Sequence, residues 1–99
     1  MVKRDNDNIL ALRTKELSVL DICRRIMTEV QASIYKHGDW SDYPVDKMFE
    51  AIDGERVELG IARDGMDITG QHGMVREAIQ SAACLVKLII QLEARNGKS

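Results

Sequence analysis

The chain has little of what a sheet, a disulfide framework or a membrane span requires. Among its 99 residues are only four aromatic side chains, one proline and two cysteines. Aliphatic residues with so few aromatics favour packed helices over a sandwich of sheets. No apolar run is long enough to cross a bilayer. Neither cysteine lies in a CxxC pair or a metal-binding spacing, so we expect reduced core thiols at Cys23 and Cys84 instead of a zinc site.

The charge is also nearly balanced, with 14 basic and 16 acidic residues and a net charge of -2. These residues are scattered along the chain, so the sequence offers no basic surface for a nucleic-acid polymer. Residues 1–7 are charged and lead to no long apolar run, unlike a signal peptide. We therefore expect one cytoplasmic domain without a membrane partner, since 99 residues suffice for a single core.

Three segments have the periodicity of amphipathic helices. The first covers about residues 14–36, where apolar residues recur at alternating spacings of three and four. The second is predicted from about Pro44 to Arg63, and the third from about Gln71 to Glu93, with Thr69 or Gly70 as its cap. Residues 1–13 are predicted to form an N-terminal tail or a short helix, and residues 14–95 the single helical core.

The third helix has an unusually broad apolar face. It consists of Val75, Ala78, Ile79, Ala82, Leu85, Val86, Ile89 and Ile90. Glu77, Gln80, Lys87 and Gln91 lie on the opposite side. Three amphipathic helices leave a groove that a fourth would fill. The predicted fold is therefore an all-α bundle of three main helices, completed by dimerisation into a four-helix-type core. The alternative is a monomeric three-helix bundle completed by the N-terminal segment.

Acidic residues form the most distinctive pattern of the sequence. Glu55 and Glu58 are three residues apart, which places them about 5–6 Å apart on one helix surface. Such carboxylates repel, and Mg²⁺, which prefers hard oxygen ligands, would relieve the repulsion. Glu77 and Gln80 have the same spacing on the third helix, and antiparallel packing would bring the two pairs together. The spacing fits an ordinary solvent face equally well, because Lys87 lies on the same stripe.

These residues also carry a resemblance to a known family. The segment FEAIDGERVELGIA, the gap of 18 residues after Glu58, and the segment EAIQ leading into SAACLVKLIIQLE resemble the MazG-like all-α nucleoside triphosphate pyrophosphohydrolases. That family pairs ExxE on one helix with ExxD on the next inside an oligomeric helical bundle. The resemblance covers roughly residues 36–93.

The resemblance implies a reaction, a metal and an assembly. Glu55, Glu58 and Glu77 would be catalytic and would bind Mg²⁺, or Mn²⁺ in its place, with Gln80 as a further ligand. The reaction would split a nucleoside triphosphate into the monophosphate and pyrophosphate, within a homodimer or a dimer of dimers. Gln80 stands where the family has Asp, which removes one negative charge. The alternative function is therefore a non-catalytic helical interaction protein, or a nucleotide-binding protein with a degenerate metal site.

Four further residues are candidates for substrate binding. Trp40 and Tyr43 precede the second helix, where an aromatic ring could stack on a base. Lys36 lies close by in sequence and Lys87 lies two turns beyond Gln80, and either could meet a phosphate. Each has a purely structural alternative: the tryptophan covers the core, and the lysines are solvated.

Overall fold

The computed structural model describes the backbone of residues 2–97 and the side chains of residues 18–97. It contains three helices, α1 (Val2–His37), α2 (Val45–Asp64) and α3 (Met74–Gly97). The backbone described contains no strand, which confirms the all-α class. Within the same part of the chain, no helix combines the length and apolarity needed to cross a membrane.

The first helix differs most from its predicted bounds. The segment 2–13, expected as a tail or a short helix, continues α1 without a break. At its other end, Gly38 adopts a φ of 80° and donates its N–H to the Ile34 carbonyl at 2.8 Å. That left-handed conformation suits glycine, so α1 ends where the sequence predicted.

The α2–α3 loop, residues 65–73, is held by local hydrogen bonds. The Gly70 N–H donates to the Asp67 carboxylate at 2.9 Å, and the Met74 N–H donates to the Asp67 carbonyl at 2.8 Å. The Val75 N–H donates to the Ile68 carbonyl at 3.0 Å. Because these carbonyls satisfy the first amides of α3, the helix begins at Met74 and neither Thr69 nor Gly70 caps it as predicted.

The three helices pack around α3. It contacts both α1 and α2, whereas the Cα atoms of α1 and α2 do not come within 8 Å of each other in the part of the chain described. The radius of gyration is 17.5 Å. A compact domain of this length would measure about 13 Å. The single chain is therefore an open, elongated arrangement.

The core of this arrangement is small. Trp40, Met48 and Leu88 are buried together, and four residues pack around them: Tyr43, Ala51, Ile52 and Cys84. On α2, Met48 is fully buried, while Val45 and Phe49 are exposed. Cys84 is partly buried, but Cys23 is exposed, so the prediction of a core thiol is wrong for Cys23 in the single chain.

Helix α3 buries polar side chains and exposes apolar ones, which decides between the two orientations that the sequence left open. We call Glu77, Lys87 and Gln91 the polar stripe; they are 2%, 1% and 7% exposed. We call Val75, Leu85, Ile89 and Ile90 the apolar stripe; all four are exposed, Leu85 by 47% and Ile89 by 54%. The interpretation of the polar stripe as a solvent face is wrong, because these side chains point toward α1, α2 and the connector between them, residues 38–44.

Candidate metal centre

Two helices bring three carboxylates to one place. Glu55 and Glu58 lie one turn apart on α2, and Glu77 lies in the first turn of α3. The α2–α3 loop reverses the chain between them. One oxygen from each side chain lies within 4.8 Å of the others. The convergence predicted from the ExxE spacing and the later glutamate is thus present in the structure.

The burial of the three carboxylates is graded. Glu77 is 2% exposed, Glu55 is half-buried and Glu58 is exposed. Among the side chains described, Glu55 Oε2 and Glu77 Oε2 are buried without a hydrogen-bond partner. Buried polar atoms nearly always have a partner, and an unpartnered carboxylate oxygen is costly. Both atoms belong to the cluster, so a cation bound there would satisfy both.

The electrostatic environment of Glu55 and Glu77 differs from that of an ordinary surface acid. Burial raises the pKa of Glu55 above its ordinary value, and the charges of Glu58, Glu77 and Glu29 raise it further. The pKa of Glu77 is also raised, first by burial and then by the neighbouring carboxylate of Glu58. A cation would reverse these costs, because it favours the ionised form of each carboxylate.

A cleft of about 320 Å³ opens at the cluster, lined by Glu58, Ile61, His72, Glu77 and Gln80. Gln80 therefore lies beside the carboxylates, at the place predicted for a further ligand. The volume leaves room for a hydrated cation and a phosphate group beside the glutamates.

The structure adds two groups that the sequence did not indicate. His72 Nδ1 lies 3.5 Å from Glu77 Oε1, and its protonated form lowers the pKa of that carboxyl. Glu29 of α1 lies close enough to act on Glu55. Neither belongs to a motif: a histidine two residues before a helix and a glutamate on a different helix become neighbours only through the fold.

The predicted substrate-binding residues lie elsewhere. Trp40 is 4% exposed, and its ring stacks on Tyr43 at a centroid distance of 5.9 Å. Lys87 Nζ donates to Ser33 Oγ at 2.9 Å and lies 4.2 Å from the centroid of the Trp40 ring. Lys36 is exposed in the last turn of α1. None of the four predicted residues is among the side chains that line the described cleft.

Fold and site together define a helical protein with an oxygen-rich candidate centre for a divalent cation. A search of protein-family models, curated proteins and solved structures found nothing that matches this chain.

Proposed function

We propose that the chain is a Mg²⁺-dependent nucleoside triphosphate pyrophosphohydrolase of the MazG-like type. The observation that carries the proposal is the carboxylate cluster of Glu55, Glu58 and Glu77, with two buried oxygens that lack a hydrogen-bond partner. An acidic cluster alone is common on protein surfaces. Two unpartnered buried oxygens within one carboxylate cluster are uncommon, and they fit a hard cation.

The donor set suits Mg²⁺ or Mn²⁺. Glu55, Glu58 and Glu77 would hold the cation, and Gln80 could add a neutral carbonyl oxygen in place of the Asp of the family pattern. When bound, such a cation lowers the pKa of a water and neutralises charge on phosphate oxygens.

The chain's own residues have separate roles in this proposal. The burial of Glu77 in the first turn of α3 fixes its position, whereas the exposed Glu58 faces the cleft through which a phosphate would enter. Because His72 contacts Glu77 Oε1, it competes with the cation for that oxygen when protonated. Metal binding should therefore displace the imidazole from Glu77.

The proposal includes a homodimer, or a dimer of dimers, closed by the exposed apolar residues. The accessible surface of the chain is 7811 Å². A compact monomer of this mass would expose about 5,700 Å². The excess, roughly 2,000 Å² for each chain, falls within the range of obligate dimer interfaces. The apolar stripe of α3 would lie at the centre of that interface.

A binding protein without catalysis is the alternative, and Gln80 favours it because the site has one carboxylate fewer than the family pattern. The deciding experiment incubates the protein with each nucleoside and deoxynucleoside triphosphate in Mg²⁺ or Mn²⁺ and measures pyrophosphate. We expect metal-dependent release by the native protein and at least a hundredfold less from Glu58→Gln.

The other possible outcomes of this experiment also distinguish between the proposed functions. Nucleotide binding without pyrophosphate release would support the binding protein. Equal release by the native protein and Glu58→Gln would exclude this centre as the catalyst. Neither binding nor release with any triphosphate would contradict both functions.

A further inference from the structure

A groove beside the candidate metal centre is lined by basic side chains. It measures about 940 Å³ and runs between α1, the α2–α3 loop and the first turns of α3. Arg24 and Arg25 line it from α1, and Arg76 lines it from α3. We call it the arginine groove. In a chain whose net charge is -2, three guanidinium groups on one groove are an uneven distribution of charge.

None of the three arginines forms an ion pair within 4.0 Å with a carboxylate among the described side chains. Among the side chains of residues 18–97, the ion pairs within 4.0 Å are Arg63 with Asp64 and His72 with Glu77. Glu29 is the sole acidic residue among those that line the groove. The groove therefore combines three positive charges with one negative charge. An anion that entered it would meet guanidinium groups already free to bind.

The arginine groove adjoins the carboxylate cluster. Glu29 lines the groove, and its charge also raises the pKa of Glu55 in the cluster. On α3, Arg76 of the groove directly precedes Glu77 of the cluster. Positive side chains and the candidate metal centre thus lie on the same stretch of α3. A ligand with several adjacent phosphates could reach both.

Side chains, rather than the start of α3, would hold this ligand. The N–H groups of Gly73, Met74 and Val75 all donate to loop carbonyls at 2.8 to 3.0 Å. They are not free to bind an anion. Arginine presents a planar fork of N–H donors that matches two oxygens of one phosphate, and two or three such forks suit a chain of phosphates better than a single carboxylate.

We infer that the arginine groove binds the terminal phosphates of a nucleoside triphosphate, the part that leaves as pyrophosphate. The choice of a nucleotide as the source of these phosphates rests on the proposed function. The binding of a polyphosphate anion rests on the groove alone. The two statements can therefore be tested apart.

The test is a calorimetric titration with inorganic tripolyphosphate in the presence of EDTA, which removes the contribution of divalent cations. We expect the native protein to bind the anion and Arg76→Gln to bind it at least tenfold more weakly, with a similar loss in Arg25→Gln. Arg63→Gln is the matched control, because Arg63 is exposed, pairs with Asp64 and lies outside the groove. Its affinity should equal that of the native protein, and melting curves of all variants should confirm that each is folded.

Two results would overturn the inference. One is the absence of tripolyphosphate binding by the native protein, and the other is an equal loss in Arg76→Gln and Arg63→Gln, which would indicate net charge alone. The proposed function fails separately. If tripolyphosphate binds in EDTA but no nucleotide releases pyrophosphate, the inference about the arginine groove stands and the proposed enzymatic function is wrong. If the native protein and Arg76→Gln release pyrophosphate with the same KM, the proposed enzymatic function stands and the inference about the arginine groove is wrong.

Discussion

The two sides of α3 exchange the roles that their residue types would suggest. On one side, the polar stripe is buried against α1, α2 and the connector, and each of its residues has a specific neighbour: His72 for Glu77, Ser33 for Lys87 and the Asp39 carbonyl for Gln91. On the other side, the apolar stripe is open to solvent in the single chain. A helix that covered its apolar residues within one chain would do the opposite.

The two sides of α3 therefore have different roles, one in the fold of the single chain and the other in the proposed dimer. The buried polar groups position the connector and the carboxylate cluster, because each is fixed by a hydrogen bond or an ion pair across 5 to 54 residues of sequence. The exposed apolar residues contribute little to the fold of one chain. In the proposed dimer they are the groups whose burial would provide most of the stability.

The largest expected effect is a loss of association when a charge is placed on the apolar stripe of α3. Ile89→Lys places a charge in the proposed interface and should weaken association by about 3 kcal/mol or more, over a hundredfold in the dissociation constant. Light scattering at micromolar concentration should show the native protein at a multiple of 11.2 kDa and the variant near 11.2 kDa. Asp53→Lys, at an exposed polar position on α2, is the control and should leave the mass unchanged. A native mass near 11.2 kDa would contradict the proposed dimer.

The next largest effect is a loss of folding stability when Lys87 of the polar stripe is truncated. Lys87→Ala removes the hydrogen bond to Ser33 and the contact with Trp40 and leaves a cavity, so it should lower the free energy of unfolding by about 2–4 kcal/mol. Lys36→Ala, at an exposed lysine, should cost less than about 0.5 kcal/mol. Urea unfolding of both variants measures the difference. Equal stabilities would mean that Lys87 does not support the connector.

A smaller effect concerns pH. The pKa values of Glu55 and Glu77 are raised in the folded chain from an ordinary value of 4.5, so the folded state binds protons more tightly than the unfolded state. Their contribution to stability is therefore full below about pH 4.5 and is lost as the pH rises through the folded pKa values. His72, Glu58 and Glu29 face the same groups and shape this dependence.

Glu77→Gln tests the pH dependence directly. It should raise metal-free stability at pH 7 by about 1 kcal/mol, or roughly 4–8 °C in Tm, and reduce the loss of stability that occurs as the pH rises above about 4.5. Thermal melts across this range in EDTA provide the measurement. A variant that is less stable than the native protein at pH 7 would show that the carboxylates do not repel.

The smallest expected effect is a change in Mg²⁺ affinity when Gln80 is replaced. Gln80→Asp should tighten Mg²⁺ binding several-fold, because it restores a fourth charged oxygen at the cleft. Gln31→Asp adds the same charge at an exposed position of α1 and should leave the affinity unchanged. Calorimetry compares the two. Equal or weaker affinity in Gln80→Asp would indicate that this side chain points away from the cation.

The sequence predicted some of this architecture and missed the rest for physical reasons. Helical periodicity gave the three helices, and the spacing of Glu55, Glu58 and Glu77 predicted their convergence, since both depend on local geometry. The orientation of α3 could not be predicted this way, because periodicity identifies two faces but not which one the chain itself covers. For the same reason Lys87, expected as a surface or phosphate-binding lysine, is a buried neighbour of Trp40.

The candidate site shows the same limit. His72 and Glu29 join it through the path of a loop and the packing of a separate helix, which no short motif records. The arginine groove is similar, because Arg24 and Arg76 are 52 positions apart and only the packing of α1 on α3 makes them line one cavity.

The most direct test of the metal centre compares melting curves of the native protein and Glu58→Gln with and without Mg²⁺. A ligand that binds only the folded state at a hundredfold excess over its dissociation constant stabilises that state by about 2.7 kcal/mol. We predict that Mg²⁺ raises the Tm of the native protein, that Glu58→Gln loses this response, and that its metal-free Tm is equal to or above the native value. An identical response to Mg²⁺ in both proteins would contradict Glu58 as a ligand and, with it, the centre on which the proposed function depends.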